Sequence, residues 1–152
     1  MKASAKINYP VEDVFEVFIK AAKKEFKDFD EEDPIGCKIV KKITSGGSRN
    51  PECTIEITDY AVNSKYEITT SNDKASCVST YKFVQNQEGY TVVSFEESQG
   101  GKGMMDAFTL MIIRFMAKRA FKQRFEAQME NLRNELKLKE ENLKRSEKKA
   151  EA

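Results

Sequence analysis

The sequence of 152 residues contains no histidine and no tryptophan, and it has only three cysteines and three prolines. Without histidine, Ser-His-Asp and Cys-His nucleophiles and the usual zinc sites are excluded. The three cysteines, Cys37, Cys53 and Cys77, are widely spaced and form no Cys-x-x-Cys pair, which favours reduced thiols in a cytoplasmic protein. The sequence therefore predicts no metal, no cofactor and no recognisable catalytic constellation.

An excess of charge of either sign is also missing. The 26 basic and 25 acidic side chains leave a formal net charge of +1, which predicts that nucleic acid is not a partner. Long hydrophobic runs are absent too, because the longest apolar region, residues 104–121, is interrupted by four charged residues. We therefore expect no membrane span, no secretion signal and a cytoplasmic location.

The pattern of apolar and polar residues predicts that the chain begins with a short strand and a helix. Residues 1–8 alternate weakly between apolar and polar side chains, which predicts a half-buried strand that ends at Pro10. From Pro10 to about Asp28, apolar side chains recur at steps of three and four, so this segment is predicted to be an amphipathic helix. Glu12 and Asp13 lie at the start of this helix, where the helix dipole favours negative charge.

From Cys37 to Gln99 the period changes to two, which is typical of consecutive antiparallel strands. Five strands are predicted, at Cys37–Thr44, Glu52–Val62, Lys65–Thr70, Ala75–Val84 and Tyr90–Ser98. Alternation predicts which side chains face inward in the first four, namely Cys37, Ile39, Ile43, Ile55, Ile57, Tyr66, Ile68, Cys77, Ser79, Tyr81 and Phe83. In the fifth strand alternation alone leaves both faces open, Tyr90/Val92/Ser94 or Val93/Phe95.

After Gly103 the sequence has neither proline nor glycine, which predicts one long helix from Met104 to about Leu143. Its first apolar stripe, from Met104 to Met116, is expected to be the face that the sheet grips. A second stripe appears a quarter turn away, at Phe121, Phe125, Met129, Leu132, Leu136 and Leu143. We expect residues 1–136 to form the domain and residues 137–152 to form a charged helical tail that contributes little to the core.

Two short motifs each allow two interpretations. Because Glu96 and Glu97 are adjacent in a strand, one carboxylate faces inward, either as a functional group or as a strand-end side chain that reaches solvent. The segment Gln99–Gly103 precedes a helix, where free amides can bind a phosphate, yet it matches no phosphate-binding motif. A flexible joint between strand and helix is the simpler interpretation.

The whole order of elements resembles the START/Bet v 1-like (SRPBCC, helix-grip) superfamily, and in particular an uncharacterised bacterial branch of it. The resemblance depends on the opening Ile7-Asn8-Tyr9-Pro10-Val11-Glu12-Asp13-Val14-Phe15, on the turn Gly46-Gly47, and on the helix after Gly100-Gly101-Lys102-Gly103. It implies an α+β fold in which a curved antiparallel sheet of about six strands wraps around a long C-terminal helix. It also implies a cavity between sheet and helix that holds an apolar small molecule in many relatives.

The leading hypothesis is thus a non-enzymatic module that binds an apolar or amphipathic small molecule. The predicted lining is Tyr66, Ile68, Tyr81, Phe83, Phe108, Met111, Ile112 and Phe115, with Arg119 one turn further along the helix. The alternative is a protein-interaction module, similar to the chaperone-activator branch, that uses the outer helix face (Leu110, Ile113, Ala117 and Phe121) and the tail, as a monomer or weak homodimer. A cyclase- or hydratase-like enzyme is the third hypothesis.

Overall fold

The chain opens with a strand and a helix that meet at Pro10. A computed structural model describes residues 1–42, 52–72, 75–101 and 107–151, with the side chains of residues 75, 100, 101 and 107–117 outside that description. Strand β1 spans Lys2–Ile7 and helix α1 spans Val11–Glu25. Helix α1 ends three residues before the predicted Asp28, because the backbone of Phe26 leaves the helical conformation and its side chain is fully buried in the core.

Five further strands complete one antiparallel sheet, as the alternating pattern predicts. They are β2 (Lys38–Lys42), β3 (Glu52–Ala61), β4 (Lys65–Ser71), β5 (Ala75–Gln85) and β6 (Thr91–Gly101). The strand order is β1-β6-β5-β4-β3-β2, so β1 and β2 are the edge strands. The curved six-stranded sheet, with one short and one long helix, confirms the helix-grip α+β fold.

Cross-strand pairing brings aromatic side chains into one row on the concave face. Tyr66 of β4 is opposite Tyr81 of β5, and Tyr81 is opposite Phe95 of β6. The rings of Tyr81 and Phe95 stack with their centroids 4.3 Å apart. Val93 and Phe95 are buried, so β6 turns the Val93/Phe95 face inward and the choice that alternation left open is decided.

Most of the side chains predicted to face inward on the other strands are in the core or against it. Ile57, Tyr66, Tyr81 and Phe83 are buried, and the partly buried members pack against them, namely Cys37, Ile39, Ile55 and Ile68. Cys77 and Ser79 are half-buried, and Ile43 lies outside the described residues. The pattern of period two therefore identifies the inner face of the sheet correctly.

Helix α2 runs from Ala107 to Ala150, and its 44 residues span about 66 Å at roughly 1.5 Å per residue. In its described part the buried stripe is Phe121, Phe125, Met129, Leu132 and Leu136, which is the second of the two predicted stripes without its last member, the exposed Leu143. Phe121, which we predicted on the outer face, is buried and stacks on Phe95 at 4.8 Å. That prediction is wrong because α2 packs against α1 as well as against the sheet. Phe121 therefore lies on the buried side of α2 and not on the outer side.

The last third of α2 contacts the rest of the chain mainly through polar groups. The Lys139 ammonium lies 2.8 Å from the Glu16 carboxylate and 3.5 Å from that of Asp13, both on α1. The hydroxyl of Tyr9 donates a hydrogen bond to Glu140 at 2.9 Å. Leu143 is 57% exposed. Whether the domain ends at Leu136 stays a prediction.

Candidate functional site

A recess opens on the concave face of the sheet, between helices α1 and α2. We call it the concave-face recess; its volume is about 340 Å³. Strands β4 and β5 form its floor, and the two helices form its walls. Its lining consists of Val17, Phe18, Ala21, Ala22, Glu25, Tyr66, Ile68, Tyr81, Gln128, Asn131, Leu132 and Glu135.

The floor of the recess is aromatic because two tyrosines are neighbours across strands β4 and β5. The rings of Tyr66 and Tyr81 are 6.3 Å apart, and the ring of Phe18 from α1 lies 5.6 Å and 4.8 Å from them. Tyr81 donates its hydroxyl hydrogen to the side-chain oxygen of Gln128 at 2.9 Å, which links the floor to α2. Burial raises the pKa of Tyr81 to about 12 and raises the pKa of Tyr66 as well, so both floor hydroxyls are neutral at physiological pH.

The rim of the recess is polar. Glu25 stands at the end of α1, while Gln128, Asn131 and Glu135 follow one another along α2. The Glu25 carboxylate is paired with the Lys41 ammonium of β2, so one of the two rim carboxylates already has a cationic partner. An apolar floor under a polar rim suits a molecule that has an apolar body and a polar end.

One of the two adjacent glutamates faces inward, as the strand geometry requires. Glu97 is 6% exposed on the concave face, directly opposite Ser79, whereas Glu96 is exposed. The guanidinium of Arg124 lies 3.6 Å from the Glu97 carboxylate. Burial raises the pKa of the Cys77 thiol to about 11, and the charge of Glu97 and a hydrogen bond with it act in the same direction.

The structure brings three of the predicted lining residues together and places a fourth elsewhere. Tyr66, Ile68 and Tyr81 line the concave-face recess. Phe83 packs in the core instead, with its ring 5.1 Å from those of Phe15 and Phe18. The side chains of Phe108, Met111, Ile112 and Phe115, like those of Leu110, Ile113 and Ala117, lie outside the described residues.

For Arg119 the sequence leaves open a contact with an inward glutamate or a ligand and a position in solvent at the rim. The side chain of Arg119 is exposed, and Arg124 meets Glu97 instead. The reason is that the second apolar stripe is buried, which places Arg124, beside Phe125, on the side of α2 nearer to β6. The residues of the recess that sequence reasoning missed lie on α1 and on the second half of α2. Their signal was the second apolar stripe, since Gln128, Asn131 and Glu135 flank its members Met129, Leu132 and Leu136.

In the part of the chain that the structure describes, no three histidine, cysteine, aspartate or glutamate side chains cluster as a metal site would require. Within the same residues, neither helix has the length and the apolarity that crossing a membrane requires.

Comparison with known proteins gives a family and a fold. A family model described as a domain of unknown function, DUF3284, matches residues 1–118. A search of curated proteins gives no match.

Three solved structures illustrate the likeness in fold. A protein of unknown function from Staphylococcus aureus, SA2116, superposes with a TM-score of 0.63 at 11% identity, over 93% of this chain and 96% of its own. A conserved protein from Geobacillus kaustophilus gives 0.56 at 14% identity, over 89% and 93%. Norcoclaurine synthase from Thalictrum flavum gives 0.52 at 8% identity, over 75% and 73%. At these identities the likeness concerns the fold alone.

Proposed function

The chain belongs to the DUF3284 family, and from the geometry of its concave face we propose that the domain is a non-enzymatic binding module for an amphipathic small molecule. The observation that carries the proposal is the concave-face recess, with its aromatic floor and polar rim. Its volume of about 340 Å³ falls in the range of roughly 300–1,000 Å³ that is typical of small-molecule sites. The three free cysteines support a reducing compartment such as the cytoplasm.

The chemistry of the recess supports a ligand with an apolar body. Phe18, Tyr66 and Tyr81 offer ring faces and edges, while Ile68 and Leu132 add aliphatic surface. Burial of such a body removes apolar area from water, which stabilises the complex by about 25 cal/mol per Å² before the cost of association is subtracted. The amide groups of Gln128 and Asn131 can hydrogen-bond the polar end of the ligand at the rim.

Binding is favoured over catalysis because the buried carboxylate of Glu97 does not line the recess, and the two carboxylates that do, those of Glu25 and Glu135, are exposed at its rim. Glu97 lies on β6, one strand beyond the floor, and it is paired with Arg124 and Cys77. The tyrosines of the floor have pKa values raised by burial, so they are poor proton donors and are not present as phenolates near neutral pH. These groups are suited to orient a bound molecule through hydrogen bonds and ring contacts.

The test uses an uncharged fluorescent probe, N-phenyl-1-naphthylamine, whose emission rises in apolar surroundings. Ala21 is an exposed residue of α1 that lines the recess, so Ala21→Phe should occlude it with little effect on folding. We expect this variant to bind the probe at least tenfold more weakly than the unmodified chain. Ala127→Phe is the matched control, because Ala127 is exposed on α2 and does not line the recess; it should bind within twofold.

Native mass spectrometry of the protein purified from cells supplies the second measurement. A retained small molecule that is lost in Ala21→Phe and kept in Ala127→Phe would support the proposal. Unchanged probe affinity in Ala21→Phe, or an unmodified chain that neither binds the probe nor retains a molecule, would contradict it.

A further inference from the structure

A groove separate from the recess lies between strand β1 and helix α2. We call it the β1 groove; its volume is about 540 Å³. Ala3 and Ala5 line it from the strand, and Phe121, Phe125 and Met129 line it from the helix. Because the two alanine side chains are short, the space between the strand and the helix stays open. The groove thus has an apolar base, formed by the alanines and by side chains of the core, and charged walls, and it runs beside the edge of a sheet.

The backbone of β1 directs hydrogen-bonding groups toward this groove, and one of them, the carbonyl of Lys6, accepts a hydrogen bond from Arg133. Met1 and Glu97 exchange two backbone hydrogen bonds, of 2.8 and 2.9 Å, so they form a hydrogen-bonded pair. In an antiparallel ladder such pairs alternate with non-hydrogen-bonded ones, so Ala3 and Ala5 also bond to β6. Lys2, Ser4 and Lys6 therefore direct their N–H and C=O groups away from β6, toward the open edge.

One side-chain contact supports this assignment. The guanidinium of Arg133 donates a hydrogen bond to the backbone oxygen of Lys6 at 3.1 Å from the groove side of the strand. No other strand lies beyond β1 in the described part of the chain. An open strand edge of this kind is a template for a further strand.

We propose that the β1 groove binds an extended, acidic peptide segment of a partner protein, which adds to Lys2–Lys6 as a further strand of the sheet. Addition of a strand supplies main-chain hydrogen bonds, and alternate side chains of the peptide enter the adjoining groove. This inference is independent of the small-molecule site, since the β1 groove shares no lining residue with the concave-face recess.

The pleat of the sheet defines the pattern of the peptide. Ala3 and Ala5 face α2, so peptide side chains on that side meet Phe121, Phe125 and Met129 and should be apolar. The exposed side chains of Lys2 and Lys6 are on the opposite face, where peptide side chains at alternate positions should be acidic. Opposite charges on neighbouring strands stabilise their pairing, whereas like charges oppose it.

Charge along the groove points to the same partner. Its lining has four basic side chains, Lys2, Lys118, Lys122 and Arg133, and two acidic ones, Glu126 and Glu130. Glu130 pairs with Arg133 at 3.7 Å, and Lys2 pairs with Glu96 at 3.7 Å. The other lining charges, Lys118, Lys122 and Glu126, still leave one positive charge in excess. A second copy of β1 is a poor occupant, because its own Lys2 and Lys6 would add positive charge to the same edge.

The test titrates the ¹⁵N-labelled full chain with a dodecapeptide of six Val-Glu repeats and follows amide signals by NMR. The expected result is slower hydrogen exchange at the amides of Ser4 and Lys6 on peptide addition, with Ala3 and Ala5 unchanged. A dodecapeptide of six Val-Lys repeats should bind at least tenfold more weakly. Equal binding of the two peptides, or no binding of the Val-Glu peptide, would overturn the proposal.

Two variants at Ser4 distinguish the contribution of its backbone amide to binding from that of its side chain. Ser4→Pro removes the amide hydrogen that faces the open edge, and the β1–β6 ladder is preserved because Ser4 and Ser94 form a non-hydrogen-bonded pair. We expect at least tenfold weaker binding of the Val-Glu peptide. Ser4→Ala keeps the amide hydrogen and should bind within twofold. Equal affinities of the two variants would count against strand addition.

A double variant keeps the proposal testable if Ser4→Pro does not fold. Lys2→Gln with Lys6→Gln removes the two charges that face the acidic side chains of the peptide and keeps the backbone of β1, so it should reduce the tenfold preference for the Val-Glu peptide to about threefold or less. An unchanged preference would overturn the role of charge. Sedimentation of the protein without peptide tests the other occupant. A dimer that forms in Ser4→Ala but not in Ser4→Pro would assign the groove to a second copy of the chain, and it would overturn the proposal of an acidic partner.

Discussion

At the scale of single residues, Glu97 shows how a strand position decides the chemistry of a side chain. Its neighbour Glu96 has the same carboxylate but is exposed, because successive residues of a strand point to opposite faces. Glu97 instead enters the concave face, where a buried carboxylate needs polar partners. Arg124, whose side chain is 66% exposed, and the thiol of Cys77 supply them.

The first prediction at this scale concerns the reactivity of Cys77. Because burial and Glu97 raise the pKa of its thiol from 9.0 to about 11, the rate of its alkylation by iodoacetamide should reach its midpoint near pH 11. Short pulses of reagent and peptide mass spectrometry measure the modification at Cys77 alone. Glu97→Gln should move the midpoint down, but not to 9, since burial remains. A midpoint near 9 in the unmodified chain would contradict the described environment of Cys77.

At the scale of elements, helix α2 has two roles along its length. Among its described side chains between Lys118 and Leu136, five large apolar ones are buried against the sheet and α1. After Leu136 its contacts are ion pairs and hydrogen bonds near the surface, such as Lys139 with Glu16. Exposed ion pairs contribute roughly 0–1 kcal/mol, far less than a buried aromatic side chain.

The prediction that follows compares deletion of residues 137–152 with Phe125→Ala. The deletion removes exposed contacts, so the melting temperature should fall by only a few degrees, the scale of about 1 kcal/mol. Phe125→Ala removes a buried ring that lies 5.9 Å from Phe95 and should cost about 3–5 kcal/mol. Thermal and urea unfolding measure both changes.

Leu143→Ala is the control for side-chain removal in the tail, since Leu143 is largely exposed, and it should change stability by less than about 0.5 kcal/mol. If the deletion unfolds the domain while Phe125→Ala stays stable, the division of α2 into a packed part and a tail is wrong.

At the scale of the whole molecule, stability should fall at alkaline pH. Burial raises the pKa of Tyr81 from 10.0 to about 12, and that of Cys77 to about 11. The folded state therefore holds these protons more tightly than the unfolded state, so their contribution is complete below about pH 9 and is lost as the pH rises toward 12. Tyr81 alone should account for about 1–2 kcal/mol between pH 8 and pH 11.

Urea unfolding at pH 8 and pH 11 checks this dependence. Tyr81→Phe loses its hydrogen bond to Gln128 and is expected to be less stable at pH 8 by about 1 kcal/mol. It should, however, lose less stability than the unmodified chain between the two pH values, because phenylalanine does not ionise. An equal loss in the two proteins would show that Tyr81 is not a source of the alkaline dependence.

Much of the architecture could be predicted because helix and strand periods are local properties. The steps of three and four after Pro10 located α1, and the alternation from Cys37 to Gln99 located the strands and most of their inner faces. The strand residues that form the floor of the recess, Tyr66, Ile68 and Tyr81, could be predicted from the same alternation. The walls did not, since they come from two helices that are about a hundred residues apart in the chain.

The sequence by itself determined the elements, their order and the inward side of most strands, because the pleat relates every side chain to its neighbours along one strand. The inward face of β6 was left open by alternation and is given by the buried Val93 and Phe95. Only the tertiary structure decided that α2 is buried from Phe121 to Leu136, that Arg124 meets Glu97, and that the recess borders α1. The helical period gives the angles between side chains around one helix. The neighbouring elements determine which side of that helix is buried. Those neighbours are assembled by long-range contacts that no local pattern records.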